Sequence, residues 1–182
     1  MTGRRIVVEA YENIMSRSSV RSFKDIEISD EEVRKILAAG MAAPSCVNRR
    51  DWSFLVTRDP EILGRMADCN GRPAEPLRKA KLGILVLGDL ERAFSRAPDY
   101  WIIDASIAAE NMVLAANALG IGSVWLGTYP QADRVDALRK EFSLPDTVVP
   151  HSIIAFGYPS EEEAGKGPRG FYEDDRVHFD KW

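Results

Sequence analysis

The sequence predicts an α+β fold, a single domain over residues 1–182 with about four core strands and five or six helices. Three observations carry this. Two amphipathic helical stretches precede the first strand-like run, so helices and strands do not alternate as in a doubly wound sheet. Short runs rich in β-branched and aromatic residues occur at 52–57, 82–88, 123–128 and 151–158. Finally, "YWIIDASIAAENMVLAANAL" (100–119) is apolar around most of its circumference, which predicts a central helix buried in a core or a subunit interface.

Each element follows from local chemistry. Ile6, Val7, Ala10, Tyr11, Ile14 and Met15 recur at helical spacing and predict a first helix over 5–15. Ser29 and Glu32 form a capping box that starts a second helix, which ends near "APS" (43–45) because Pro44 disfavours helix at the residue before it. "WSFLVT" (52–57) reads as a strand, 60–68 as a short helix opened by Pro60, and "NGRPAEP" (70–76) as turns followed by a basic helical turn. "LGILVLG" (82–88) is continuously apolar, as in a strand covered on both faces, and 92–99 reads as a loop or partial helix. Gly120 closes the long helix as a left-handed cap, and Ala132–Phe142 predicts another helix between the last two strands. "PSEEEAGKGPRG" (159–170) is an exposed connection. The terminal "FYEDDRVHFDKW" is too apolar, through Val177, Phe179 and Trp182, to be a free tail.

Composition narrows the function. A net charge of −4 argues against a general nucleic-acid surface. The basic N-terminus has three consecutive apolar residues, too few for a signal peptide or membrane span, and two cysteines form no disulfide framework, so a cytoplasmic setting is expected. Cys46 and Cys69 have no zinc-type spacing, and no metal site is expected. Gly120-Ile-Gly122 follows a helix and precedes a strand, the reverse of a dinucleotide fingerprint, and no P-loop or nucleophile elbow is present. His151 and His178 read as structural, and Cys46 has no activating base in view.

Three polar loops remain. "SRSSVRSF" (16–23) concentrates two arginines and four serines; taken alone it is equally a solvated turn and an anion socket, in which guanidinium forks and hydroxyls would grip phosphate oxygens. "APSCVNRRDW" (43–52) offers Ser45 and the two-sided hydrogen-bonder Asn48, or is a plain helix-to-strand turn. The linker bearing Lys166 and Arg169 is a third basic element, or serves solubility.

In this order the loops resemble the nitroreductase family of flavoproteins. Arg17, Ser19 and Arg21, with Phe23 following, match its opening Arg-x-Ser-x-Arg pattern; Ala43, Pro44, Ser45, Asn48 and Trp52 match its Ala-Pro-Ser-x-x-Asn-x-Gln-Pro-Trp block. Gly120 through Gly127 is similar to Gly-Leu-Gly-Ser-x-Trp-Ile-Gly, and Gly157-Tyr158-Pro159 leads into a basic linker and a Val-His-aromatic ending with a terminal Trp. The resemblance implies a central, mostly antiparallel sheet flanked by helices. It also implies an intertwined homodimer with FMN at the subunit interface, the C-terminal extension (159–182) packing on the partner. By motif match, Arg17, Ser18 and Ser19 would hold the FMN phosphate and ribityl chain, joined by Arg169, with Arg21 at the N1–C2 edge of the flavin. Pro44, Ser45, Cys46 and Asn48 would come from the other subunit, and Trp125, Leu126 and Gly127 would run beside the ring.

The implied activity is hydride transfer from NADH or NADPH to tightly bound FMN, and then to a nitroaromatic, quinone or similar electron-poor small molecule by a ping-pong mechanism. No catalytic side-chain acid or base is required, because the chemistry lies at flavin N5, with Arg21 stabilising developing charge. Two alternatives stay open: a specialised relative carrying out reductive dehalogenation or flavin cleavage, and a flavin-binding redox carrier or sensor without turnover of its own. The chain departs from the pattern at Arg50-Asp51, where the family has Gln-Pro, and at "CVN" (46–48). The short stretch before "LGILVLG" lacks room for a covering insertion, which predicts an open, permissive pocket.

Overall fold

Two of the helices start where side-chain capping chemistry puts them. In the computed structural model, which describes residues 9–163, 167 and 172–182, α1 spans Ala10–Ser16 and α2 spans Asp30–Met41. Ser29 N–H donates to Glu32 Oε2 at 2.8 Å while Glu32 N–H reaches back to Ser29 Oγ, the reciprocal cap expected. Residues 5–8 of the expected first helix lie outside the described part.

After β1 (Trp52–Thr57), Asp59 accepts the Glu61 and Ile62 N–H groups and Pro60 opens α3 (Pro60–Asn70). A 3-10 segment over Arg72–Lys79 replaces the expected turn and helical turn, and β2 follows at Leu82–Asp89. Next come α4 (Tyr100–Ala118), β3 (Gly122–Gly127), α5 (Ala132–Glu141) and β4 (Val148–Gly157). Gly120 has φ +75°, the left-handed conformation that stops α4. β4 begins at Val148 rather than His151 because its β-branched start pairs with the end of β2, Asp89 opposite Val148.

The four strands lie in the order β1-β2-β4-β3, every neighbouring pair antiparallel. Side chains alternate across the sheet and feed two cores. Leu82, Ile84, Val86, Ile154 and Phe156 meet Ala105, Ala109, Met112 and Ala116 of α4 and Ile36 of α2. Leu85, Leu87, Val124, Leu126, Ile153 and Ala155 meet Leu63 and Met66 of α3, Leu77 and Leu138 of α5. The result is a helix–sheet–helix sandwich in which β1 and β3 are the edges.

α4 is buried along the stripe from Trp101 through Ala116, yet Tyr100 and Ile103 on its other side stay exposed, Ile103 by 50%. The helix therefore serves the core with one face and leaves a second apolar face uncovered in the single chain.

Two glycines on the β3–β4 side admit the preceding loop. A Cβ on Gly122 would stand 2.8 Å from Val20, and one on Gly157 would stand 2.7 Å from the Phe23 ring. Gly157→Ala should therefore destabilise the fold by about 1–3 kcal/mol. Gly127→Ala, with nothing within 4 Å of the added Cβ, should be close to neutral; urea unfolding of both variants measures the contrast.

Candidate active site

The "SRSSVRSF" stretch is pinned along the β3 edge. Val20 N–H donates to Ser123 O at 2.8 Å, placing Ser19 beside Ser123 in a parallel bridge. Phe23 then bridges Pro159, Lys24 N–H donates to Tyr158 O at 2.8 Å, and Ser160 N–H donates to Ser22 O. Val20 is buried as the anchor, while Ser19 and Arg21 stay exposed and Arg17 and Ser18 half-buried. Arg17 follows α1, which is tied to α4: Asn13 Nδ2 donates to Leu114 O and Asn117 Nδ2 donates to Asn13 Oδ1, both at 3.0 Å. Arg17 also faces Glu110 on α4, whose carboxyl is pushed up by desolvation and drawn partly back by that guanidinium.

From Ser123 the edge runs about 13 Å to Gly127. Val124 and Leu126 point into the core, so Trp125 faces outward at 36% exposure. The Gly127 carbonyl accepts two hydrogen bonds, from Arg134 Nη1 at 2.8 Å and from Asn70 Nδ2 at 3.2 Å. Thr128 Oγ1 donates to Asn70 Oδ1 at 2.8 Å and fixes that amide. These bonds set the plane of the Gly127 peptide, and the space beyond its Cα is open. Sequence reasoning missed Asn70, Thr128 and Arg134. The available signal was an amide at the end of α3, where a helix exposes groups to be satisfied.

Behind the strip lies an aromatic cluster. The register shifts between Val86 and Leu87, opposite Ser152 and Pro150, so His151 occupies a bulge and turns toward α4. Its ring meets Trp101 and Trp125 edge-on. Ser106 Oγ donates to Ile102 O at 2.7 Å, so the 3.1 Å contact with His151 Nε2 requires the imidazole to donate there. Nδ1 then accepts from Ser152 Oγ at 3.0 Å. Burial pushes the His151 pKa down to about 4, which keeps the ring neutral.

The "APSCVN" loop is a 3-10 turn over Cys46–Asn48, with left-handed φ values at Val47 (44°), Asn48 (57°) and Arg50 (51°). For residues with a Cβ, each such conformation costs on the order of 1–3 kcal/mol, and Val47 is β-branched. The surroundings hold it. Cys46 N–H donates to Asp104 Oδ2 at 2.8 Å, Arg50 N–H to Ser45 Oγ at 2.9 Å, and Arg49 Nε to Arg92 O at 2.5 Å. Pro44 and Asn48 are exposed, Ser45 and Cys46 half-buried, and both cysteines are free thiols.

Within one chain these loops do not meet. Asp104 holds the 44–48 loop while Glu110, about 9 Å further along α4, faces Arg17, and among the described residues no hydrogen bond or ion pair joins the two loops. The structure thus joins Arg17, Ser18, Ser19 and Arg21 with Trp125, Leu126 and Gly127 on one edge, and sets Pro44, Ser45, Cys46 and Asn48 apart. Arg169 and Lys166 lie outside the described residues. Among the described residues no group of His, Cys, Asp and Glu could hold a metal ion, and no helix is long and apolar enough to cross a membrane.

The depressed His151 pKa fixes a pH response. Stability from the neutral ring is complete above about 6.5, the unfolded value, and is lost as pH falls toward about 4. The His151 Hε1 resonance should therefore hold a constant shift from pH 8 to 5.5, whereas a ring that titrates near 6.5 would contradict the buried, Ser106-bonded geometry.

Comparison with known proteins places this architecture. The model of the nitroreductase family matches residues 14–83 and 70–158. Provisionally named NADH dehydrogenase/NAD(P)H nitroreductases from Methanothermobacter thermautotrophicus and Archaeoglobus fulgidus are 39% and 41% identical to this chain. Each match spans 96% of the chain, with 88% and 99% of the respective relative. A crystal structure of a similarly named protein from Parabacteroides distasonis superposes with a TM-score of 0.88 at 36% identity, covering 97% of this chain and 100% of that one. A provisionally assigned nitroreductase from Desulfovibrio desulfuricans, crystallised in complex with FMN, gives 0.79 at 31% identity over 96% of this chain and 98% of that one. With its antiparallel sheet, its pinned Arg-Ser loop and these matches along almost its whole length, the chain belongs to the nitroreductase family.

Proposed function

We propose that this protein is an FMN-dependent NAD(P)H oxidoreductase acting on nitroaromatic, quinone or similar electron-poor small molecules by a ping-pong mechanism, as a homodimer with FMN at the interface. The observation that carries this reading is the shared edge: a loop of two arginines and exposed hydroxyls is held in register with an outward Trp125–Gly127 strip that faces open space. The residues suit a ligand with phosphate at one end and a planar ring at the other. FMN-bound and NAD(P)H-named relatives support the same choice of cofactors.

In this reading Arg17, Ser18 and Ser19, with Arg169, bind the FMN phosphate and ribityl chain through charge-assisted hydrogen bonds. Bound FMN supplies a hydride acceptor and donor, serving NADH or NADPH and the electron acceptor in turn. Arg21 would supply a positive charge toward the N1–C2 side of a bound flavin and so would favour its reduced, more negative form. The Leu126–Gly127 backbone orients the ring, its peptide plane held by Asn70 and Arg134. No side chain needs to accept or donate a proton to the reacting centre.

The dimer accounts for what one chain leaves unfinished. The Pro44–Asn48 loop, not bonded to the Arg17 loop in its own chain, completes the site of the partner. The exposed face of α4 at Tyr100 and Ile103 gains cover. The C-terminal extension, with Phe179 exposed by 81% and Trp182 by 99%, packs on the partner. A groove lined by Leu37, Met41, Trp52, Phe54 and Val56 at the free β1 edge offers it a seat. Two free cysteines agree with work in the reducing cytoplasm.

Arg17→Ala should weaken FMN affinity about 10- to 100-fold, the loss of a hydrogen-bonded charge, as read by titration of apoprotein. Arg21→Ala should bind FMN within a few-fold of the parent yet slow anaerobic reduction by NAD(P)H by about 100-fold in stopped flow. Purified protein that takes up no FMN would overturn the assignment.

A further inference from the structure

Asp51 is the last residue before β1, and its backbone is built into the sheet: its carbonyl accepts the Asp89 N–H at 2.6 Å. Its side chain is buried, 1% exposed, and among the described residues neither carboxyl oxygen receives an N–H or O–H from another residue, only its own backbone N–H lying near. What it does face is another acid. The Asp104 carboxyl on α4, 2% exposed, lies within hydrogen-bonding reach. The other charged group facing Asp51 is Arg49 on its own loop, whose Nε is bound to Arg92 O. Asp104 in turn accepts the Cys46 N–H and so holds the strained turn with its three left-handed residues. Two carboxyl groups in contact have no donor between them unless one keeps a proton.

We propose that Asp51 keeps a proton, donates it as a hydrogen bond to Asp104, and so forms a latch on the Pro44–Asn48 loop. Asp51 is a positioning residue: protonated, it donates to Asp104 and steadies the carboxylate that receives the Cys46 N–H. Ionised, it places a second negative charge in the same dry pocket, and the loop loosens. Burial, followed by the Asp104 charge, pushes the Asp51 carboxyl up from 3.8 to about 6. The sign follows from linkage. The raised carboxyl favours the folded state most fully below about pH 4, and that contribution is lost as pH rises through about 6. The departure Arg50-Asp51 thereby gains a role in both halves, since Arg50 bonds to Ser45 Oγ and to Met41 O while Asp51 reaches Asp104. That the loosened loop touches flavin rests on the function proposed above; the latch does not.

The test compares the full-length parent with Asp51→Asn and Asp51→Ala. Asparagine donates from Nδ2 to Asp104 without titrating. By urea unfolding, the folding constant of the parent relative to Asp51→Asn should fall about 20-fold between pH 4.5 and 7.5, as expected for a carboxyl lifted from 3.8 to about 6. The Cys46 amide should lose hydrogen-exchange protection over that range in the parent, keep it in Asp51→Asn, and show little at either pH in Asp51→Ala. A parent and Asp51→Asn with the same pH dependence, or a Cys46 amide equally protected at both pH values in the parent, would overturn the latch. FMN release supplies a separate arm: it should speed up with pH in the parent and not in Asp51→Asn. If the unfolding and exchange results hold while FMN release ignores pH, the latch stands and the placement of this loop at the flavin falls.

Discussion

Four polar side chains on α4 organise everything around it. A mostly apolar helix carries Asp104, Ser106, Asn111 and Asn117, and each bonds to a different element. Asp104 holds the turn after α2, Ser106 the His151 bulge of β4, Asn111 the Ala39 carbonyl of α2, and Asn117 the end of α1. Polar groups half or fully buried are costly unless paired, so each bond fixes its partner in one place. The alanine stripe between them brings the helix close to the central strands and so fixes where those four groups stand.

The two candidate site loops are held by different physics. At the β3 edge, backbone hydrogen bonds extend the sheet sideways into the Arg17–Phe23 loop, and Gly122 and Gly157 make room for Val20 and Phe23. That half is pre-formed by the sheet itself. The Pro44–Asn48 loop is a strained turn kept in place by side chains, most directly by Asp104. A conformation held against its own preference is sensitive to the state of what holds it, which is where a buried pair of acids has leverage.

Exposed apolar surface gives the third constraint. Tyr11, Ile14, Ile103, Phe179 and Trp182 are on several elements, too many for the scattered apolar residues a lone chain tolerates. Together with a groove at a free sheet edge, they leave apolar surface that the proposed dimer would cover.

Much of this was legible in the residues. The Ser29–Glu32 cap, Pro60 at the start of α3, the Gly120 stop and the twice-covered β2 follow from local rules, because capping, φ preference and apolar periodicity act over a few positions. The Arg17–Arg21 loop and the Trp125–Gly127 strip were likewise visible as residue types, and their order along the chain pointed to one family. Only the tertiary structure decided which groups meet. Nothing near Asp51 in sequence announces Asp104, nothing near Asn70 announces Gly127, and the turn of His151 toward α4 depends on a register shift against β2. Those contacts join residues tens of positions apart, and their energies depend on burial and on who the neighbour is, quantities that arise only when the sheet and α4 close on each other.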